Sequence, residues 1–257
     1  MLQPFDSAKF LFHRAAAHLA EFRTWYAIYL NSKPGEFVCE QDEETGLFHF
    51  KYRIVRQPPP MMGAITYDIV SCLRSALDHA VFDASVELGG NPRPKYTKFP
   101  FGQNAKEAAD DLIRKRAEVP ESIRPTLLGF RPYHPNNGGD PTLFGLNEIR
   151  NQKIHRILGV YVVQSGDTAV DNFIGGSSEV IFCADWNPER QEFTYCIAAD
   201  PNVRQFEGAL TLNIGLDEAS TLGGKPAVEM LTLAANRVWE IIGDIAKETA
   251  RLNAEAG

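Results

Sequence analysis

DPTLFGLNEIRNQKIHRILGV, residues 140–160, reads as a helix whose inner face is oily and polar at once. At about 100° per residue, Leu143, Phe144, Asn147, Arg150, Asn151, Ile154, His155 and Leu158 fall within one sector of roughly 140°. An amide, guanidinium or imidazole that loses water among Leu, Phe and Ile costs on the order of 1–3 kcal/mol unless it finds a partner. A helix over 140–158 is therefore expected to meet a partner network or a ligand on this face.

The chain around it has 257 residues, of which 44% are hydrophobic. That is enough for a sizeable core, and a single α+β domain over 1–257 is expected. The formal charge of −7 argues against a broadly basic nucleic-acid surface. Contact with RNA or a nucleotide would have to be focal. Cys39, Cys72, Cys183 and Cys196 show neither C-x-x-C nor zinc-finger spacing, so reduced thiols, no metal and no cofactor are expected. The opening MLQPFDSAKFLFHRAAAHLAEF lacks a basic-then-apolar signal design. Nor does any run of about eighteen uncharged apolar residues occur, and a cytoplasmic protein without a membrane partner is the expectation.

Helical spacing of apolar residues predicts helices over about 7–30, 60–88, 105–117, 140–158 and 226–252. In the second, Met62, Ile69, Val70, Leu73, Ala76, Leu77, Ala80 and Val81 make one face. Asp68, Ser71, Arg74, Ser75, Asp78 and His79 make another, shared with Tyr67 and Phe82. Alternation predicts strands at 37–41, 47–55, 160–163, 179–184, 193–198 and 210–214, with DWNPER as a turn. The architecture expected is a bundle of about four long helices with a small antiparallel sheet, built from the early hairpin and strands of the C-terminal half. In that hairpin His49, Lys51 and Arg53 form a basic face, expected to be solvated.

Two segments place Arg five residues before His: Arg74 to His79 and Arg150 to His155. At that spacing the two side chains lie about 140° apart on a helix, so they can flank a phosphate in a groove between helices. Histidine moves protons near neutral pH and arginine stabilises charge on phosphoryl oxygens. P-loop, H-E-x-x-H, EF-hand and nucleophile-elbow patterns are absent. Asp68, Asp78 and Asp83 spread too widely round one helix to form a compact metal shell with His79.

The segment Arg150-Asn151-Gln152-Lys153-Ile154-His155 resembles the R-polar-x-x-x-H signature of HEPN domains, helical bundles that often act as metal-independent ribonucleases. LRSALDHAV, KFPFG, RPYHP and LNEIRNQKIHRIL, within residues 65–158, are similar to a widespread group of bacterial proteins of unassigned function. The HEPN resemblance implies Arg150 and His155 as the catalytic pair and Asn151 as the orienting group, in a composite site at a symmetric homodimer interface. Arg74, Asp78, His79, Asp68 and Asn147 would complete the pocket. The alternative is a non-catalytic binding or scaffold protein with a protein partner, in which these polar residues form a satisfied interhelical network that fixes register.

Overall fold

The structure, a computed structural model, describes residues 3–115, 117–151, 158–164, 180–187, 189–201, 210–216, 221–222 and 225–256. It mixes helices with an antiparallel four-stranded sheet. Two compact units emerge. Met1–Thr24, Pro60–Leu158 and Leu216–Gly257 form the first, and Trp25–Pro59 with Gly159–Gly215 form the second.

The first unit is mainly helical. Its members are the start of α1 (Asp6–Asn31), α2 (Pro60–Glu87), α3 (Ala105–Asp110), α4 (Arg124–Gly129), α5 (Pro141–Asn151) and α6 (Ala227–Ala256). Every residue expected on the apolar face of α2 is buried, from Met62 to Val81. Each large one contributes about 1.5–3 kcal/mol by leaving water. Thr66 and Ser85 share that interior because their hydroxyls bond back to Met62 O and Val81 O at 2.9 and 2.8 Å. Helix α6, with Leu231, Val238, Ile241, Ile242 and Ile245 all buried, packs on α2, and α5 packs on both.

Two of the expected helices are shorter than their apolar spacing suggested. The segment expected at 105–117 is α3, continued by one π-helical turn, Asp111–Lys115, with Ala108 and Leu112 buried. Helix α5 is described to Asn151, and Leu158 already begins a strand. With Leu158 outside the helix, the inner face of α5 is set by Leu143, Phe144, Leu146 and Ile149, all buried. The helix is rolled accordingly, so that Arg150 and Asn151 are exposed and Asn147 is half-buried.

The second unit holds a sheet of order β1-β2-β5-β4, with β1 Gly35–Gln41, β2 Phe48–Ile54, β4 Val180–Asn187 and β5 Glu192–Ala198. A separate pair joins β3 (Leu158–Gln164) to β6 (Leu210–Leu216), whose end residues Leu158 and Leu216 belong to the first unit. The early hairpin therefore does pair with a C-terminal-half strand. Its register sets Phe37 opposite Tyr52, and β2 then lies antiparallel to β5 with a bulge after Phe50. The turn closes on Asp42, which accepts from the N–H groups of Glu44 and Thr45, and on Gly46 at φ 70°. Between β4 and β5, Asn187 caps the predicted turn by accepting from the N–H groups of Glu189 and Arg190.

Candidate functional site

Helix α5 starts where its sequence says it should. Asp140 C=O accepts from Phe144 N–H, and its Oδ1 accepts from Thr142 and Leu143 N–H at 2.9 and 3.0 Å, a side-chain cap. The preceding Gly139 admits no side chain, since a Cβ there would lie 1.7 Å from Tyr133 O.

Arg74 is the buried centre of the α2–α5 contact, at 7% exposure. Its Nε faces Asn147 Oδ1 at 3.4 Å, its Nη1 donates to Asp78 Oδ1, and its Cζ lies 4.4 Å over the Phe101 ring. Arg74 Nη2 also donates to Phe99 O at 3.3 Å while Phe99 N–H donates to Asp78 Oδ1 at 3.0 Å. The pair thus grips both peptide groups of one residue and pins the KFPFG segment to α2. Just before that segment, buried Thr97 is held to Glu118 at 3.2 Å, and Arg93 N–H donates to the same carboxylate oxygen at 2.8 Å.

A cleft of about 450 Å³ opens beside this anchored segment, lined by Ser75, Asp78, His79, Phe82 and Asp83 of α2, Ser7 of α1, Pro94, Thr97, Lys98, and Arg150 of α5. Its carboxylates are already engaged. Asp78 serves Arg74 and Phe99, and Asp83 Oδ2 accepts from Phe5 N–H and Ser7 Oγ at 2.9 and 3.2 Å. Arg150 and Lys98 have no ion-pair partner among the described residues. His79 Nδ1 lies 3.1 Å from Ser7 Oγ. Phe82 and Pro94 supply an apolar wall.

Of the residues singled out by sequence, Asp78, His79 and Arg150 line this cleft, and Arg74 with Asn147 forms the network beneath it. Asn151 ends α5, exposed. Asp68 is exposed on α2, eleven residues before His79, or about 16 Å along the axis, and is not among the cleft residues. His155 lies outside the described residues. Sequence reasoning did not assign Ser7, Asp83, Pro94, Thr97 or Lys98 to the site. The signal available for α2 was the 75-78-79-82 spacing, a single helical stripe that ends in an aromatic residue.

Other polar features resolve as architecture. His134 Nδ1 accepts from Asn136 N–H at 3.1 Å, and the ring packs edge-on against Phe144 at 4.7 Å. The basic face of the hairpin is neutralised: Lys51 and Arg53 each bridge Glu40 and buried Glu192, at 2.5–3.4 Å. Hydrogen bonds from Lys51 and Arg53 hold the Glu40 carboxyl down at about 2. A second groove of about 470 Å³ lies along α6, lined by Trp239, Ile242 and Ala246 between Lys9, Lys247, Glu240 and Asp244. Its charges balance, so it offers no cationic bias. Among the described residues no three His, Cys, Asp or Glu side chains are placed to hold a metal, and no helix is long and apolar enough to cross a membrane. Compared with protein-family models, curated proteins and solved structures, the chain matches none.

Proposed function

We propose that the cleft beside α2 binds the phosphate of a nucleotide or of RNA, and that the chain cleaves RNA without a metal ion. The observation that carries this is the inequality of charge in the cleft. Arg150 and Lys98 line it without ion-pair partners among the described residues, whereas Asp78 and Asp83 are turned to internal donors. An anion entering there gains two cations without displacing an existing ion pair, and Phe82 offers a face on which a base can stack.

In the mechanism implied by the R-polar-x-x-x-H segment, Arg150 stabilises charge on the phosphoryl oxygens, Asn151 orients the phosphate and His155 acts as general base or acid. The same proposal includes a cytoplasmic symmetric dimer and a bundle of four long helices as the scaffold. The test is incubation of the purified protein with mixed RNA in excess EDTA, beside Arg150→Ala and His155→Ala variants. Cleavage by the parent alone, leaving 2′,3′-cyclic phosphate ends, is expected. Absence of both cleavage and oligonucleotide binding by the parent would overturn the proposal.

A second reading, a non-catalytic scaffold, draws on a different observation: Arg74, Asp78, Asn147 and the Phe99 backbone satisfy one another. Buried networks of this kind specify register between helices. The two readings separate on whether oligonucleotide binds at all.

A further inference from the structure

We infer that Asp83, Ser7 and His79 form a relay that fixes the imidazole tautomer and presents an unprotonated Nε2 to the cleft. Its chemical use rests on the phosphodiester function proposed above, but its geometry does not. Ser7 Oγ lies 3.2 Å from Asp83 Oδ2 and 3.1 Å from His79 Nδ1. A hydroxyl has one proton, and an ionised carboxylate can only accept. The Ser7 proton therefore points to Asp83. Turned to His79 instead, it would leave hydroxyl and carboxylate oxygens facing each other with lone pairs alone. The remaining capacity of Ser7 Oγ is as an acceptor, so Nδ1 of His79 must be the donor. In the neutral ring the lone pair is then on Nε2.

Asp83 is itself immobilised. Phe5 N–H donates to the same Oδ2 at 2.9 Å, and Phe5, buried to 6% exposure, adopts φ 68°. A bulky residue reaches that left-handed region only when its surroundings over-determine it. The carboxylate that orients Ser7 thus also ties the entrance of α1 to α2. His134 is the internal contrast: its Nδ1 accepts a backbone N–H, which puts its proton on Nε2.

His79 is exposed on the cleft wall it shares with Lys98 and Arg150. With RNA bound, its Nε2 takes the proton of a 2′-hydroxyl as the 2′-oxygen bonds to phosphorus. The bond from phosphorus to the 5′-oxygen breaks, and that leaving oxygen takes a proton from the general acid, the role that falls to His155 in the function proposed above. Ser7 and Asp83 are positioning residues, acting through the imidazole.

The test uses the full chain with 15N-labelled histidine, observed by NMR at a pH where the imidazoles are neutral. His79 is expected as the Nδ1–H tautomer and His134 as Nε2–H. Ser7→Ala should move His79 toward Nε2–H, and Ser7→Thr should restore it. Finding His79 as Nε2–H in the parent, or unchanged in Ser7→Ala, would overturn the relay whatever RNA does. The second arm is RNA cleavage in EDTA. Ser7→Ala is expected to cut about tenfold more slowly, with recovery in Ser7→Thr. Full activity in Ser7→Ala would overturn the catalytic use of His79. A parent that never cuts RNA would instead strike the proposed function and leave the tautomer result standing.

Discussion

Arg237 of α6 donates from Nε to Asp140 Oδ2 at 2.8 Å, while the other oxygen of that carboxylate caps the first N–H groups of α5. One side chain therefore both starts a helix and ties it to its neighbour. Asp140→Ala should destabilise the chain by about 1–2 kcal/mol, because the cap is lost and Arg237 loses the nearer carboxylate, keeping Glu240 at 3.3 Å. Asp140→Asn keeps a good capping group and should cost less. Urea denaturation of the two variants beside the parent measures the difference.

The four-charge array on the sheet predicts an acid limb. Side-chain hydrogen bonds from Lys51 and then Arg53 lower Glu40 from an ordinary 4.5 to about 2. A folded value below the unfolded one means that the stabilisation is complete above about 4.5 and fades as pH falls toward 2. Glu40 is 38% exposed, so solvent screening limits the effect to about 1 kcal/mol or less. The thermal midpoint of Glu40→Gln should fall less steeply than that of the parent between those pH values.

Arg74 is expected to matter for stability rather than for contact with ligand. Arg74→Ala should cost about 2–4 kcal/mol, since it leaves Asp78 and Phe99 O without their cationic donor and strips the face of Phe101. Arg74→Lys keeps the charge but cannot reproduce a fork that reaches Asn147, Asp78 and Phe99 together, so it should recover only part of the loss. Calorimetric melts decide this. An unshifted melt in Arg74→Ala would remove the structural role of the network.

The opposite pattern is expected at the cleft rim. Arg150 is exposed and Lys98 half-buried, and neither has an ion-pair partner to lose among the described residues. Arg150→Ala and Lys98→Ala should leave stability within about 0.5 kcal/mol of the parent. Each should weaken binding of a fluorescent oligonucleotide about tenfold, as the loss of one charge-assisted contact does. Titration by anisotropy in EDTA reads both.

Much of the fold was legible because its signals are local. The stripe from Met62 to Val81 and the DWNPER turn, closed by Asn187 on Glu189 and Arg190, each act within a few residues. Other features depend on where a segment stops. The polar face read on 140–158 was centred partly by Leu158, which belongs to a strand; over Pro141–Asn151 the apolar direction is set by Leu146 and Ile149, and Arg150 turns outward. The site was legible only in part for a different reason. Arg74, Asp78 and His79 lie on one helix, but Ser7 and Lys98 reach them through tertiary contacts that no sequence spacing encodes. The engagement of Lys51 and Arg53 was equally hidden, since Glu192 is 139 residues from Arg53.

That separation has a consequence for synthesis. At roughly 5–20 residues per second on the ribosome, the 139 residues between Arg53 and Glu192 take about 7–28 s to make. Throughout that interval the outer edge of β2 has no β5 to pair with, and its peptide groups offer a template to any other nascent chain nearby. On that hairpin Lys51 and Arg53 outnumber Glu40 of β1, and the surplus positive charge is suited to keep it solitary until Glu192 emerges. Crowding on polysomes is thus a condition in which the unfinished sheet meets other open strand edges.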